Sequence, residues 1–262
     1  MNILIIGGNR FVGKLLAQQL STQSLTLINR TGTGPKNCNL IKCDRNTDQF
    51  KKHLKDINPD IVIDMCLYNL NQYDSIKPLL EINNLKKYIF ISSIASKIKS
   101  FGEYGHQKQL LENKIKDSTL PYIILQPTYI IGEGDHSNRL SQYINNLFTN
   151  DELSIEGKGD RLINFIDAKD VRDVVCKLIN SDLVRKEYEL GCNEITSLND
   201  LIHRLAKCVN KKPLLKYYTN NSPYANDQCF ATNFKIKRDI DYSFINFDDT
   251  LKQICSSYEN KN

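Results

Sequence analysis

Short apolar runs recur through the first half of the chain, and segments with helical spacing separate them. The first run, Asn2–Ile6, ends in two glycines, and apolar residues from Phe11 to Leu20 then recur every three or four positions, as in a helix. Five more runs predict strands: Leu25–Ile28, Leu40–Cys43, Ile61–Asp64, Tyr88–Ile91 and Tyr122–Leu125. The segments between them predict helices at Thr47–Lys55, Gln72–Asn83 and Gln107–Lys116.

The composition of these strands indicates where they lie in the fold. Strands this short and this uniformly apolar are typical of strands that are buried on both faces. Their alternation with helices predicts a parallel sheet with helices on both sides. We therefore predict the α/β class, with a doubly wound parallel sheet of the Rossmann type, which binds nucleotides at the carboxyl ends of its strands.

The pattern changes after Pro127, where turn residues become frequent. The predicted elements are a loop at Gly132–Asp135, a helix at Leu140–Phe148, a hairpin of Leu153–Glu156 and Leu162–Ile166 around Gly157–Asp160, and helices at Asp167–Asn180 and Ser197–Val209, the last with Ser197 as its N-cap. We predict a dinucleotide-binding domain from residues 1–128 with part of 160–190. Residues 129–160 and 190–262 would form a small C-terminal substrate-binding lobe.

Length and composition narrow the class of protein. The 262 residues, of which 40% are hydrophobic, fit one globular domain or one domain with a small appendage. The apolar runs are too short for a membrane helix, and the amino terminus lacks a basic flank and cleavage site, so we expect a cytoplasmic protein without membrane contact. The eight cysteines include no C-x-x-C pair or neighbouring His, which disfavours a metal site and indicates free thiols.

The positive charge is concentrated at the start of the chain. The formal net charge is +5, and residues 1–43 contain no Asp or Glu. A nucleic-acid-binding stripe would be broader, so nucleic acid is a disfavoured partner. The distribution favours a local pocket for one anion such as a phosphate, and the alternative is a chance gap in acidic residues. The basic residues of this stretch are Arg10, Lys14, Arg30, Lys36 and Lys42.

A glycine turn, Gly7–Gly13, lies between the first predicted strand and the first helix. Backbone N–H groups and a helix N-terminus at this place can hold a pyrophosphate. Arg10 replaces the middle glycine of the usual fingerprint. The alternative is a turn that only allows the strand and the helix to pack closely.

The end of the second strand predicts which dinucleotide binds. An acidic residue there usually recognises a ribose without a 2'-phosphate, but this chain has Asn29 and Arg30, and no carboxylate before Asp44. Arg30, helped by Arg10 and Lys36, would attract a 2'-phosphate, which favours NADP(H) over NAD(H). Arg30 as a solvated loop residue is the alternative. Asp44 ends the third strand, where it could bind the adenine amino group or cap the next helix.

Three residues predict proton transfer at the same edge of the sheet. Ser93 follows the fifth strand, and Tyr104 and Lys108 are four positions apart, which puts them on one helical face. A lysine ammonium beside a phenol favours the phenolate, and a serine hydroxyl can bond the same substrate oxygen. The alternative is a surface tyrosine beside a solvated lysine.

These motifs together resemble the short-chain dehydrogenase/reductase superfamily, in its extended or atypical branch, the NAD-dependent epimerase/dehydratase family. The motifs are Gly7–Gly13, Asp44-Arg45, Val62–Asp64, Ile91–Ser93, Tyr104–Lys108, Gln126-Pro127 with Ile131-Gly132, and Phe165–Val171. The resemblance implies that Ser93 is the catalytic hydroxyl, Tyr104 the general acid/base and Lys108 the residue that holds the nicotinamide ribose and lowers the pKa of Tyr104. The implied cofactor contacts are Gly7, Asn9, Arg10, Phe11, Val12, Gly13, Asn29, Arg30, Asp44, Arg45, Cys66, Tyr104, Lys108 and Pro127.

The resemblance implies an NAD(P)-dependent oxidoreductase or epimerase that acts on a hydroxyl or keto group of a small molecule such as a nucleotide sugar. Ile163 stands where such enzymes commonly have a diphosphate-binding arginine, and Arg139 or Arg161 could replace it as a substrate contact beside Ser93. Some atypical relatives with an arginine in the glycine turn have lost catalysis. The alternative is therefore a non-catalytic NADP(H)-binding protein with a regulatory or RNA-binding role. By analogy we expect a homodimer that packs through Gln72–Asn83 and Gln107–Lys116.

Overall fold

All six strands predicted in the first half of the chain form, each within two residues of its predicted ends. The computed structural model describes residues 1–82, 85–149, 152–219 and 228–259. The strands are β1 Asn2–Ile6, β2 Ser24–Asn29, β3 Asn39–Lys42, β4 Ile61–Asp64, β5 Lys87–Ile91, β6 Tyr122–Pro127, β7 Tyr129–Ile131, β8 Glu152–Glu156, β9 Leu162–Ile163, β10 Phe165–Asp167, β11 Lys186–Leu190, β12 Thr196–Ser197 and β13 Leu214–Tyr218.

Helices connect the strands and are numbered in chain order. They are α1 Phe11–Gln19, α2 Asp48–Ile57, α3 Leu70–Asp74, α4 Lys77–Ile82, α5 Gly102–Lys116, α6 Ser141–Thr149, α7 Ala168–Ile179, α8 Leu198–Cys208, α9 Phe234–Asp239 and α10 Phe247–Glu259, with short 3-10 helices at Ile94–Lys97 and Lys99–Phe101. In the described part of the chain, no helix is long and apolar enough to cross a membrane.

The central sheet has seven strands in the order β3-β2-β1-β4-β5-β6-β11, and every neighbouring pair is parallel. This confirms the predicted doubly wound Rossmann sheet. After β3 the chain crosses back to place β4 on the other side of β1. The connections that leave β1 and β4 therefore diverge, which opens a crevice at the carboxyl ends of these two strands.

Alternate residues of the central strands are buried on opposite faces, as the uniformly apolar runs predict. Ile3 and Ile5 of β1 belong to one buried cluster with residues of α1 and α7. Leu4 and Ile6 belong to a second cluster with residues of α2 and α5. Burial of an apolar side chain stabilises the fold by about 1.5–3 kcal/mol, so both faces hold the strand ends in fixed positions.

Most of the second half of the chain packs around a third buried cluster, to which α6, α8, α10 and the strands β8 and β9 contribute. The helices predicted at Leu140–Phe148, Asp167–Asn180 and Ser197–Val209 form as α6, α7 and α8. Ser197 caps α8, because its hydroxyl accepts a hydrogen bond from Asp200 N–H at 3.1 Å. The division into two domains stays a prediction.

The helix predicted at Gln72–Asn83 is wrong, because two short helices, α3 and α4, form there. Pro78 explains the break. Its ring has no N–H to donate, and it clashes with the carbonyl four residues earlier, so a continuous helix cannot pass through it. Asn83, the predicted end, lies outside the described residues.

The predicted hairpin around Gly157–Asp160 is also wrong. β8 pairs with β13 in parallel, β9 pairs with β12 in antiparallel fashion, and β10 pairs with β7 in parallel. Gly157 and Gly159 do form a turn with positive φ. However, Asn199 of α8 captures this turn, donating from its backbone N–H to Gly159 O at 3.0 Å and from Nδ2 to Lys158 O at 2.9 Å. This contact holds the turn against α8.

A buried carboxylate, Asp64, joins three segments at the carboxyl edge of the sheet. Arg45 donates to both Asp64 oxygens, at 2.8 and 3.1 Å, and Tyr88 O–H donates to Oδ2 at 3.1 Å. Cys66 N–H donates to Oδ1 at 3.2 Å. The side chain of Asp64 is fully buried and that of Arg45 is 7% exposed. The loops after β3 and β4 are therefore tied to the central strands by charge-assisted hydrogen bonds.

We expect Asp64→Ala to lower the free energy of unfolding by about 3–5 kcal/mol, because it leaves the buried Arg45 cation without its partner. Urea unfolding followed by circular dichroism measures the loss. Glu152→Ala is the matched control, since it removes only the exposed pair with Lys216 and should cost at most about 1 kcal/mol.

The double variant Arg45→Met with Asp64→Leu removes both charges and should recover at least half of the loss. A loss below about 1 kcal/mol in Asp64→Ala would contradict the assignment of Asp64 as the buried anchor.

Candidate active site

A cavity of about 490 Å³ lies over the carboxyl edge of the sheet. It extends from the glycine turn after β1, past the ends of β2 and β3, to the start of α5. Every predicted site residue except Arg161 lines it: Gly7, Asn9, Arg10, Phe11, Val12, Gly13, Asn29, Arg30, Asp44, Arg45, Cys66, Ser93, Tyr104, Lys108, Pro127 and Arg139.

The glycine turn brings β1 and α1 very close together. Gly7 has a φ of +104°, in the left-handed half of conformational space, and its N–H donates to Ile28 O at 2.9 Å. A Cβ at Gly13 would come within 2.7 Å of the Gly8 Cα. Only glycine therefore fits at Gly13, and this close approach aims the first N–H groups of α1 into the cavity.

Two non-glycine residues follow in the same turn. Arg10 is the extended N-cap residue of α1, and its exposed side chain makes no capping hydrogen bond. Phe11 has a φ of +43°, a conformation that is strained for a residue with a bulky side chain. Its ring meets the His136 ring edge-on at a centroid distance of 6.3 Å.

The end of β2 is organised by Asn29. Its buried Oδ1 accepts hydrogen bonds from the N–H groups of Thr31 and Gly32 at 3.1 and 2.8 Å, and its Nδ2 donates to Thr33 O at 2.9 Å. This side chain therefore shapes the loop that carries Arg30. One N–H of the Asn29 amide is used by Thr33 O and the other is not, so the predicted cofactor contact of Asn29 stays a prediction.

The cations near this loop differ in their position. In the described part of the chain, the exposed side chains of Arg10 and Arg30 have no ion pair, and both line the cavity. Lys36 is exposed and does not line the cavity. Contrary to the sequence prediction, it is therefore not placed to help Arg30 bind a 2'-phosphate. Asp44 lines the cavity and accepts from Asn46 N–H at 2.9 Å. The alternative prediction, that Asp44 caps α2, is wrong, because Thr47 is the N-cap residue.

Arg45 also lines the cavity, although its side chain is almost fully buried. Its guanidinium is bound to Asp64, whose charge raises the pKa of Arg45 against the opposing effect of burial. The same surroundings affect Cys66, where burial and then the Asp64 charge raise the thiol pKa to about 11. Asp64 accepts from two of the five N–H donors of Arg45, and within the described residues Nε has no partner, so the predicted cofactor contact of Arg45 stays a prediction.

The two serines after β5 have different partners. Ser92 donates to Glu112 Oε1 at 2.5 Å inside a buried group that also includes Gln126, which donates to Glu112 Oε2 at 2.7 Å. Ser93 is half-buried at the cavity wall, and its Oγ accepts from Ala95 N–H at 3.2 Å. The Ser93 side chain also forms a hydrogen bond with Tyr104, so the two hydroxyls lie together at the cavity wall.

The ammonium of Lys108 is buried under the cavity floor, with 3% of the residue exposed. It donates to Leu67 O at 2.9 Å and to Ile91 O at 3.3 Å. Burial lowers the pKa of Lys108 to about 8. An ammonium has three N–H groups, so one remains for a ligand.

Tyr104 stands at the start of α5, where a close approach to the 3-10 helix fixes it. A Cβ at Gly105 would come within 2.5 Å of Ala95 O, so α5 lies directly against the segment that follows Ser93. Burial raises the pKa of Tyr104, while the nearby Ser93 hydroxyl and the Arg139 charge lower it. The lowering of the Tyr104 pKa by Lys108 stays a prediction.

The charges of both arginines predicted to bind substrate act on Tyr129. The Arg139 guanidinium carbon lies 5.5 Å from the Tyr129 ring centroid. Burial raises the pKa of Tyr129 to about 12, and the charges of Arg161 and Arg139 both act to lower it. Arg139 lines the cavity and Arg161 does not.

The sequence analysis missed several residues of this wall. Asn46, Tyr68, Gln72 and His136 line the cavity, although none of them belongs to a quoted motif. Asn46 and Tyr68 follow the ends of β3 and β4 closely, and the general rule that ligands meet the carboxyl ends of parallel strands could have found them. No pattern of apolar and polar positions in the sequence distinguishes these residues from other loop residues.

The residues of the cavity fit a dinucleotide of the nicotinamide class. A Cβ at Gly7 would come within 3.2 Å of Cys66 Sγ, so a side chain there would fill the cradle in front of the α1 N-terminus. Unpaired cations lie at one end, and Ser93, Tyr104 and Lys108 lie at the other. This donor set suits two phosphates, a ribose and a reactive oxygen in one elongated ligand.

Comparisons with known proteins give a family match over part of the chain and a shared fold. Residues 76–191 match the NAD dependent epimerase/dehydratase family. No curated protein matches the sequence. Among solved structures, UDP-glucuronic acid 4-epimerase from Bacillus cereus, in complex with NAD, has a TM-score of 0.83 at 18% identity, covering 99% of this chain and 97% of its own.

Two further structures share the fold over nearly the whole chain. UDP-N-acetylglucosamine 4-epimerase from Methanobrevibacter ruminantium has a TM-score of 0.81 at 18% identity, over 100% of this chain and 99% of its own. The dTDP-glucose 4,6-dehydratase from Bacillus anthracis, in complex with NAD, has a TM-score of 0.84 at 15% identity, over 99% and 97%. The resemblance of the chain to the NAD dependent epimerase/dehydratase family is therefore confirmed, by the family match over residues 76–191 and by the shared fold.

Proposed function

We propose that this protein is an NAD(P)-dependent oxidoreductase or epimerase that acts on a hydroxyl or keto group of a small molecule. One observation carries the proposal. Ser93, Tyr104 and Lys108 line the same cavity that begins at the glycine turn. A dinucleotide site and a proton-transfer set thus share one space, as hydride-transfer chemistry requires.

Each of the three side chains has a role that its surroundings support. A bound nicotinamide would supply the hydride acceptor or donor. Tyr104, 47% exposed to the cavity, exchanges a proton with the substrate oxygen. Ser93, whose hydroxyl lies beside Tyr104, hydrogen-bonds the same oxygen. Lys108 uses its remaining N–H to bind a ribose hydroxyl and holds positive charge beneath the phenol.

We further propose NADP(H) as the preferred cofactor. Arg30 is exposed at the cavity end where the loop after β2 turns, and the Asn29 side chain beside it carries no negative charge. A guanidinium binds a phosphate through two parallel hydrogen bonds, which favours the 2'-phosphorylated ribose. The two neighbours described with a cofactor are complexes with NAD, so the preference rests on Arg30 and Arg10 in this chain.

A nucleotide-linked sugar is the proposed substrate class. The solved neighbours include two UDP-sugar epimerases and a dTDP-sugar dehydratase. Arg139, which lies over the Tyr129 ring, and Arg161, whose charge also acts on Tyr129, could bind its diphosphate. Ile94 and Ala95 follow Ser93 where a dehydratase would need a further acid or base, so epimerisation or reduction is favoured over dehydration. The cytoplasmic location and the homodimer through α3–α4 and α5 stay predictions.

We expect Tyr104→Phe to lower kcat for a nucleotide-sugar substrate by about 10²–10⁴-fold, because the variant loses the group that moves the proton. Reduced-cofactor binding, followed by nicotinamide fluorescence, should change less than about threefold, since the ring stays in place. Ser93→Ala should also reduce kcat with little effect on cofactor binding. Unchanged turnover in Tyr104→Phe would contradict the role of Tyr104, and a wild type that binds cofactor without turnover would support the non-catalytic alternative.

Arg30→Ala tests the cofactor preference. We expect the Kd for NADPH to rise about 10- to 100-fold, because the variant loses a charge-assisted contact with the 2'-phosphate, and the Kd for NADH to stay within about twofold. Lys36→Ala is the matched control, since it removes an equally exposed cation that does not line the cavity. Equal effects of Arg30→Ala on both cofactors would show that Arg30 does not distinguish them.

The pH dependence of cofactor binding tests Lys108. Its pKa of about 8 lies below the ordinary value, so the ammonium is charged at pH 7 and loses its proton as the pH rises through 8. We expect the Kd of NADPH to rise about five- to tenfold between pH 7 and pH 9, measured by fluorescence titration. Lys108→Arg keeps the charge and should bind with no such pH dependence. A rise of the same size in Lys108→Arg would assign the titration to another group.

A further inference from the structure

Tyr68 is a large aromatic residue that stands half exposed on the wall of the cavity. It follows β4 by four residues, lines the cavity, and is 54% exposed. Aromatic side chains at ligand pockets supply apolar contact area. The contacts that hold Tyr68 in place indicate its role more directly than its exposure does.

The peptide unit between Leu67 and Tyr68 is bound at both ends. Lys108 Nζ donates to its carbonyl oxygen at 2.9 Å, and its N–H donates to Gln72 Oε1 at 2.9 Å. Gln72 in turn donates from Nε2 to Asn46 Oδ1 at 2.9 Å, which links it to the loop after β3. The backbone of Tyr68 is therefore fixed by the same lysine that the proposed function places under the nicotinamide ribose.

The ring of Tyr68 also lies against that lysine. Its centroid is 5.3 Å from Lys108 Nζ, and the centroids of Phe90 and Tyr104 are 4.7 and 5.9 Å away. Three aromatic rings thus surround the ammonium, at distances where a ring face attracts a cation. Tyr68 and Lys108 both line the cavity, so a ligand hydroxyl that accepts the third N–H of Lys108 would lie near the Tyr68 ring.

We propose that Tyr68 is a further cofactor-binding residue, whose ring packs against the nicotinamide ribose and shields the Lys108 ammonium from water. This rests on the proposed function, since it needs a nicotinamide dinucleotide in the cavity. The ring, and not the hydroxyl, carries the role. Within the described residues the Tyr68 hydroxyl makes no hydrogen bond, whereas the ring makes the contact with Lys108.

A single indole at this position tests the contact directly. The chain contains no Trp, so Tyr68→Trp introduces one fluorophore and keeps an aromatic ring. Oxidised nicotinamide quenches an indole that it touches and has no absorption band that would quench at long range. We expect saturating NADP⁺ to quench most of the indole emission in Tyr68→Trp. Tyr217→Trp is the matched control, because Tyr217 is similarly exposed on β13 and does not line the cavity, and its emission should be nearly unchanged.

Two further variants separate the ring from the hydroxyl. Tyr68→Phe should bind NADPH within about twofold of the wild type, and Tyr68→Ala should bind it about tenfold more weakly, since only the second loses the ring. The pH dependence of NADPH binding distinguishes a ring that shields Lys108 from a ring with a purely structural role. Water that enters in Tyr68→Ala should move the Lys108 midpoint in NADPH binding upward from about 8, and Tyr68→Phe should leave it in place.

Other groups that face Lys108 stay the same in these variants, so the shift isolates the ring. These groups are Asp64, Cys66, Arg45, Glu112 and Tyr104. Absent quenching in Tyr68→Trp, equal losses in Tyr68→Phe and Tyr68→Ala, or an unmoved midpoint in Tyr68→Ala would overturn the proposal while the wild type still binds cofactor. A wild type that binds neither NADPH nor NADH would overturn the proposed function and this inference together.

Discussion

The buried carboxylate of Asp64 is the constraint on which the cavity depends. It ends the central strand β4, and it holds Arg45 from the loop after β3, Tyr88 from β5 and the Cys66 N–H of its own loop. Removing a charge pair from water is costly, and the cost is offset here because every donor around Asp64 has good geometry. The loops that form the cavity floor therefore cannot move independently of the sheet.

The same constraint reaches the proton-transfer set through the loop after β4. Because Cys66 is tied to Asp64, the Leu67 carbonyl one residue further on has a fixed position from which it accepts the Lys108 ammonium. Lys108 in turn lies between Tyr68 and Tyr104. At the opposite end, the close packing of Gly13 against Gly8 aims α1 into the cavity. Rigid elements thus support both ends of the site, which keeps its geometry in place before a ligand binds.

The sequence predicted the sheet well because the information is local. Each central strand is a short apolar run, and a run of this kind has one stable environment, the interior of a covered parallel sheet. The hairpin could not be predicted, because Gly157 and Gly159 favour a turn wherever the flanking strands go, and Asn199, forty residues later, decides where the turn docks. The partners of Arg45 and Asn29 could not be predicted for a similar reason. Their side chains are used by Asp64 and by the loop after β2, and such partners are visible only in three dimensions.

The central claim is that one cavity holds a nicotinamide dinucleotide, with its phosphates at the glycine turn and its nicotinamide ribose at Lys108. A crystal structure of the protein grown with NADPH tests this claim most directly. The account predicts electron density that runs from Arg30 past Gly7–Gly13 to Lys108, with a ribose hydroxyl on the lysine Nζ and the 2'-phosphate against Arg30. Density with the adenine beside Tyr104, or NADPH bound outside the cavity, would contradict it.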